Sequence, residues 1–122
     1  MTHVDSFQRL EHISEDLRLS KYHLRRLTRR LAEEETRIYA RYRPRIERLQ
    51  YDIGMLRSQP CDSVCHEIDI RQGYVHALQR RCDAEVRELY AARLQQLVTL
   101  TFHVAELRRR KSILQRMHVM CV

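Results

Sequence analysis

Apolar residues recur every seven positions along the first half of this chain, and very few residues there would end a helix. The series consists of Leu10, Leu17, Leu24, Leu31 and Ile38, with Ile13 and Leu27 three positions after two of its members. Such a spacing places apolar side chains along one edge of an α-helix and is typical of a coiled coil. The 122 residues include only two Gly and two Pro, so there are few turns. The pattern therefore favours long helices over a β-sandwich or an α/β sheet.

The apolar seam continues after a change of phase. Its later members in the first half are Tyr42, Ile46, Leu49, Ile53 and Leu56. Pro44 lies beside the phase change and removes a helical hydrogen bond, so we predict a kink near Pro44 without a break. The second half carries a similar seam, made of Ile68, Val75, Leu78, Cys82, Val86, Leu89, Leu97, Leu100, Val104, Leu107, Leu114 and Cys121.

One stretch, residues 58–62, has the composition of a turn. It contains Pro60, and Asp62 or Ser63 could cap a following helix. We therefore predict an all-α fold, a long antiparallel helical hairpin in the form of a two-helix coiled coil. It would be a single domain over residues 1–122, with arms at about residues 5–57 and 62–120. A short connection makes the arms antiparallel neighbours, so residue i should face roughly residue 120 minus i.

Basic residues outnumber acidic ones, 23 against 16, which gives a formal net charge of +7. The basic clusters are Arg25, Arg26, Arg29 and Arg30; Arg41, Arg43, Arg45 and Arg48; and Arg108, Arg109, Arg110 and Lys111. Such clusters could contact the phosphates of nucleic acid, or they could be the solvated flank of a coiled coil. No zinc finger, basic zipper or RNA-binding sheet motif accompanies them. Nucleic-acid binding is therefore the second hypothesis for this chain.

The sequence offers little for catalysis or metal binding. With only Gly54 and Gly73, it contains no glycine-rich phosphate loop. Its histidines form no HExxH motif, and Cys61, Cys65 and His66 supply at most three of the four ligands of a structural zinc site. We expect no enzyme activity, no cofactor, no metal site and no small-molecule substrate.

The chain also lacks the features of a signal peptide or a membrane span. Its longest uncharged stretch, residues 94–105, has 12 residues, whereas a spanning helix needs about 20. The cysteines are read as ordinary reduced thiols. We therefore expect a cytoplasmic or other reducing intracellular location, with no secretion.

Residues 94–107 are more apolar than a two-helix seam requires, because their large side chains point in several directions around a helix. The predicted partner-binding residues are Leu94, Leu97, Val98, Leu100, Phe102, Val104, Arg108, Arg109, Arg110 and Lys111. A first arm that folds back into a three-helix bundle would cover this segment instead, and a membrane-surface helix is a further alternative.

The leading functional hypothesis is a non-enzymatic coiled-coil subunit or adaptor. It would assemble with other proteins, as a hetero-complex or a homo-oligomer, by packing helix against helix. A third hypothesis is the coiled-coil stalk of a secretion-type ATPase. This chain is similar to such stalks in length and architecture, but it shares no motif with them.

Overall fold

The computed structural model describes residues 3–60, 62 and 64–120, and it folds them into two helices. Helix α1 spans His3–Arg57 and helix α2 spans Val64–Met120. Both helices begin and end close to the bounds that the heptad pattern predicted, and no strand occurs in the described part of the chain. The prediction of an all-α helical hairpin is confirmed.

Helix α1 continues without interruption through Pro44, whose side chain is exposed. Proline lacks an amide hydrogen, so the helix lacks one backbone hydrogen bond at this point. Tyr42 on one side is buried and Ile46 on the other is half-buried, and both pack into the core. This packing holds the helix together across the proline. The kink near Pro44 stays a prediction.

The connection between the helices lies where the sequence predicted it. The hydroxyl of Ser58 donates to the carbonyl of Met55 at 2.6 Å and satisfies a backbone acceptor at the end of α1. The carbonyl of Asp62 accepts a hydrogen bond from the amide of Cys65 at 3.2 Å, which forms a turn at the start of α2. Ser63, the other predicted cap, lies outside the described residues.

The two helices together form two compact units, each of which contains a segment of α1 and a segment of α2. The terminal unit comprises Met1–Arg30 and Arg93–Val122, and the turn unit comprises Leu31–Ala92. In the terminal unit, Leu17 is buried against Val104 and Leu107. Residues early in α1 therefore contact residues late in α2, so the two segments of this unit are antiparallel. The ring centroid of Phe7, near the start of α1, lies 6.3 Å from that of His118, near the end of α2, which agrees with this antiparallel direction.

The turn unit has its own apolar core, in which members of both seams meet. Its buried cluster consists of Ile38, Tyr42, Leu78 and Cys82, with Ile46, Leu49, Val86 and Leu89 packed around it. Val75, a little nearer the turn, is almost completely buried. Burial raises the pKa of the Cys82 thiol above its ordinary value, so this cysteine is an uncharged core side chain.

Two cysteines of the described residues lie in different surroundings. Cys65 is an exposed free thiol near the start of α2, and Cys82 is a free thiol in the core. Cys61 and Cys121 lie outside the described residues.

Candidate partner-binding surface

Three of the predicted partner-binding residues form an exposed apolar stripe on α2. Leu94, Val98 and Phe102 are 56%, 40% and 72% exposed. They are spaced four residues apart, so they lie on one face of the helix. Single exposed apolar side chains are ordinary on a protein surface, but contiguous ones can form an interaction surface. We call these three residues the apolar stripe.

The other apolar members of the predicted set are covered more fully than the apolar stripe. Val104 is only 4% exposed and packs with Leu17 and Leu107 in the core of the terminal unit. Leu97 and Leu100 are half-buried. Val104 is therefore part of the intramolecular core and is not available on the exposed surface. A helix that is apolar on both sides has one side to bury against α1 and one that remains open.

The exposure of the apolar stripe bears on the three-helix alternative. In that arrangement, a bent first arm would fold back and cover residues 94–107. Helix α1 is instead one helix from His3 to Arg57, and Phe102 remains largely exposed. The described part of the chain therefore contains no third segment over the apolar stripe.

The basic cluster at residues 108–111 is partly neutralised by one acidic side chain. Glu106 accepts hydrogen bonds from Arg109 at 2.6 Å and from Arg110 at 3.1 Å. The Arg109 guanidinium, and then that of Arg110, lowers the pKa of Glu106 from 4.5 to about 2. Arg108 is exposed and Lys111 is half-buried. The cluster thus presents less free positive charge than the sequence alone indicates.

A groove between the two helices of the terminal unit brings together residues that sequence reasoning did not connect. Its α1 side is formed by His23, Arg26, Leu27 and Arg30, and its α2 side by Gln96, Thr99 and Leu100. We call it the polar groove. Arg26 and Arg30 belong to one of the basic clusters of the sequence, whereas Gln96 and Thr99 had no predicted role. The predicted antiparallel register was the signal that could have placed them opposite this cluster.

The arginines in and beside the polar groove stand out because their charge is not balanced by an ion pair among the residues that the structure describes. Arg25, Arg26, Arg29 and Arg30 form no ion pair within the described part of the chain. Residues 17–30 and 93–105 contain seven Lys and Arg residues and no Asp or Glu. Like charges four residues apart on a helix weaken it by about 0.2–0.5 kcal/mol per pair. Of these seven Lys and Arg residues, Arg18 pairs with Glu15, so the positive charge without an ion pair among the described residues lies mainly on Arg25, Arg26, Arg29 and Arg30.

In the turn unit, charged and polar side chains of one helix form hydrogen bonds with those of the other. Glu85 on α2 accepts hydrogen bonds from Arg41 at 2.8 Å and from the Tyr42 hydroxyl at 2.7 Å, both on α1. In the same unit, the Tyr90 hydroxyl of α2 donates to Glu35 of α1 at 2.5 Å. The hydrogen bond to Glu85 raises the pKa of Tyr42. Carboxylates supplied by this unit thus join its two helices.

The described residues contain no group of three or more His, Cys, Asp or Glu side chains placed to hold a metal ion. Neither α1 nor α2, as far as they are described, has a stretch long and apolar enough to cross a membrane. Comparison of the chain with known protein families, curated proteins and solved structures gave no match.

Proposed function

We propose that this protein is a non-enzymatic coiled-coil subunit or adaptor, which assembles with another protein by helix packing against the apolar stripe. The observation that carries the proposal is the exposure of Leu94, Val98 and Phe102 in line on α2. Complete burial of a large apolar side chain stabilises a protein by about 1.5–3 kcal/mol. A partner that covers all three would gain a useful part of that free energy.

The occupant that fits this surface is an amphipathic helix with an apolar stripe and acidic flanks. Spacing of four residues suits a second helix lying along α2, because such ridges interlock with those of a neighbour. The net charge of the terminal unit favours an acidic partner helix over a second copy of this chain. The terminal unit has 13 Lys and Arg residues against five acidic ones, so a second copy would bring like charge to this surface. An acidic partner is attracted to it.

Light scattering at high salt tests the apolar stripe without knowledge of the partner. At about 1 M salt the screening length falls to roughly 3 Å, so repulsion between copies should no longer prevent the stripes from meeting. We expect the apparent mass of the wild type to rise with concentration under this condition. Val98→Gln combined with Phe102→Gln should return the mass toward that of one chain, with helix content unchanged in circular dichroism.

A matched control lies on the same helix. Ile70 and Tyr74 are also exposed and four residues apart, so Ile70→Gln with Tyr74→Gln removes a similar apolar pair from the turn unit. This variant should associate as the wild type does. A wild type that stays monomeric at every concentration and salt level would show that the apolar stripe is not a docking surface, and the proposal would be abandoned.

A further inference from the structure

The polar groove collects hydrogen-bond donors from both helices, and none of its described lining residues is a carboxylate. His23, Arg26 and Arg30 follow one another at spacings of three and four residues, so they lie along one side of α1. Gln96 and Thr99 face them from α2. Arg26 and Arg30 make no ion pair among the described residues. A ligand that carries negative charge would satisfy these groups.

We propose that the polar groove binds carboxylate side chains on the acidic flank of the partner helix. This inference rests on the proposed function and specifies the partner: its acidic flank should carry two acidic residues four positions apart. Arg26 and Arg30 are separated by four residues, or about 6 Å along the helix axis. Acidic residues with the same spacing on a neighbouring helix would meet both guanidiniums at once, and each could form a charge-assisted hydrogen bond.

The turn unit supports a carboxylate as the ligand. There, Arg41 and Tyr42 of α1 meet a carboxylate from the facing helix, Glu85. In the terminal unit, Arg26 and Arg30 face the uncharged Gln96 and Thr99 across the groove. Arginine donors are present in both units, but among the described residues Arg41 meets a carboxylate from the facing helix, whereas Arg26 and Arg30 do not. A partner would provide the missing acceptor.

The surroundings of the polar groove favour a protein ligand over a phosphate backbone. Leu27 and Leu100 contribute apolar surface to its lining, which suits the methylene groups of Glu side chains. Thr99 lies three residues before Phe102, so the groove borders the apolar stripe on the surface of α2. A protein helix can use both surfaces together, whereas a phosphodiester backbone has no group that would cover Leu94, Val98 or Phe102.

The test uses the full chain and two synthetic amphipathic helices with the same leucine stripe. One peptide carries Glu on its flank at spacings of four, and the other carries Gln at those positions. The groove variant is Arg26→Gln with Arg30→Gln. Its control, Arg25→Gln with Arg29→Gln, removes the same charge from the same turns of α1, at positions that do not line the groove. Affinities are measured by calorimetry at physiological salt.

We expect the wild type to bind the Glu peptide more tightly than the Gln peptide. The groove variant should lose about tenfold in affinity for the Glu peptide, because two charge-assisted contacts are removed. Its affinity for the Gln peptide should stay the same. The control variant should change affinity for the Glu peptide by less than about threefold, since its charges act only at a distance and are screened.

Several results would overturn the inference. An equal loss in the groove variant and the control variant would mean that only net charge matters. Tighter binding of a short DNA duplex than of the Glu peptide, with that binding lost in the groove variant, would assign the groove to nucleic acid instead.

Failure of the inference can be told apart from failure of the proposed function. The stripe variant, Val98→Gln with Phe102→Gln, should weaken the binding of both peptides equally. If the stripe variant weakens binding and the groove variant does not, the adaptor proposal stands and the carboxylate assignment is wrong. If the stripe variant has no effect on either peptide, the proposed function itself is contradicted.

Discussion

The terminal unit and the turn unit are built from the same two helices and bury similar apolar seams, but they balance charge differently. The terminal unit has 13 Lys and Arg residues and five acidic residues, whereas the turn unit has ten and eleven. In the turn unit, Glu35 and Glu85 join the two helices through Tyr90, Tyr42 and Arg41. In the terminal unit, the ion pairs of Arg18 with Glu15 and of Arg109 and Arg110 with Glu106 each lie within one helix.

This difference concerns availability for binding more than stability. Exposed ion pairs contribute only about 0–1 kcal/mol each, so the apolar seams account for most of the stability of both units. A unit whose cross-helix donors already have acceptors offers little to a charged partner. A unit with unpaired arginines beside an exposed apolar stripe offers both charge and apolar area. We therefore propose that the terminal unit, and not the turn unit, carries the partner-binding surface.

The largest expected effects come from removing matched core leucines, one in each unit. Leu107 in the terminal unit and Leu78 in the turn unit are both buried. Leu107→Ala and Leu78→Ala should each lower the free energy of unfolding by about 2–4 kcal/mol, since each leaves a cavity. If the units open independently, hydrogen exchange should show each loss of protection mainly in the unit that carries the substitution. Equal loss across both units would remove the distinction between them.

Removal of the cross-helix carboxylate should have a smaller effect, confined to the turn unit. Glu85→Gln keeps the size of the side chain but weakens its bonds to Arg41 and Tyr42. We expect a loss of about 1 kcal/mol in urea unfolding. Glu88→Gln is the control, because Glu88 is exposed and forms no ion pair among the described residues. Equal losses of stability in Glu85→Gln and Glu88→Gln would show that the cross-helix contacts of Glu85 do not set the turn unit apart from the terminal unit.

The two glycines of the chain both lie in the turn unit. Replacing one of them by alanine should raise the stability of this unit, whereas Leu78→Ala and Glu85→Gln should lower it. Gly54 and Gly73 are helical, and a Cβ atom at either position would meet no atom within 4 Å. Gly73→Ala should therefore stabilise the protein by about 0.5–1 kcal/mol, because alanine loses less backbone freedom on folding. Thermal unfolding provides the measurement. A lower melting temperature would indicate a packing constraint at residue 73.

The smallest expected effect is the titration of Glu106 in the terminal unit. Its pKa is lowered from 4.5 to about 2 by Arg109 and Arg110, so its ionised form is favoured in the folded state. Its contribution to stability should be complete above pH 4.5 and be lost as the pH falls toward about 2. NMR titration of the carboxyl carbon measures the pKa. Arg109→Gln with Arg110→Gln should bring it back toward 4.5, and an unchanged value would show that another cause is responsible.

The heptad pattern alone was enough to predict the two helices and most of their buried residues. Leu17, Leu31 and Ile38 on α1 and Val75 and Leu107 on α2 were placed in the seam, and all are buried. The physical reason is that helical period and apolar spacing are local properties of the chain. The turn at residues 58–62 follows in the same way from Pro60 and its polar neighbours.

Only the tertiary structure decided which side chains are covered and which donors lack an acceptor. Val104 and Phe102 belong to the same apolar segment, yet one is in the core and the other is largely exposed. Glu85 meets Tyr42 across 43 positions of sequence, while Arg26 and Arg30 face Gln96 and Thr99. These outcomes depend on the axial register and rotation of α2 against α1. Local periodicity leaves both free to vary, and the packing of the two seams against each other sets them.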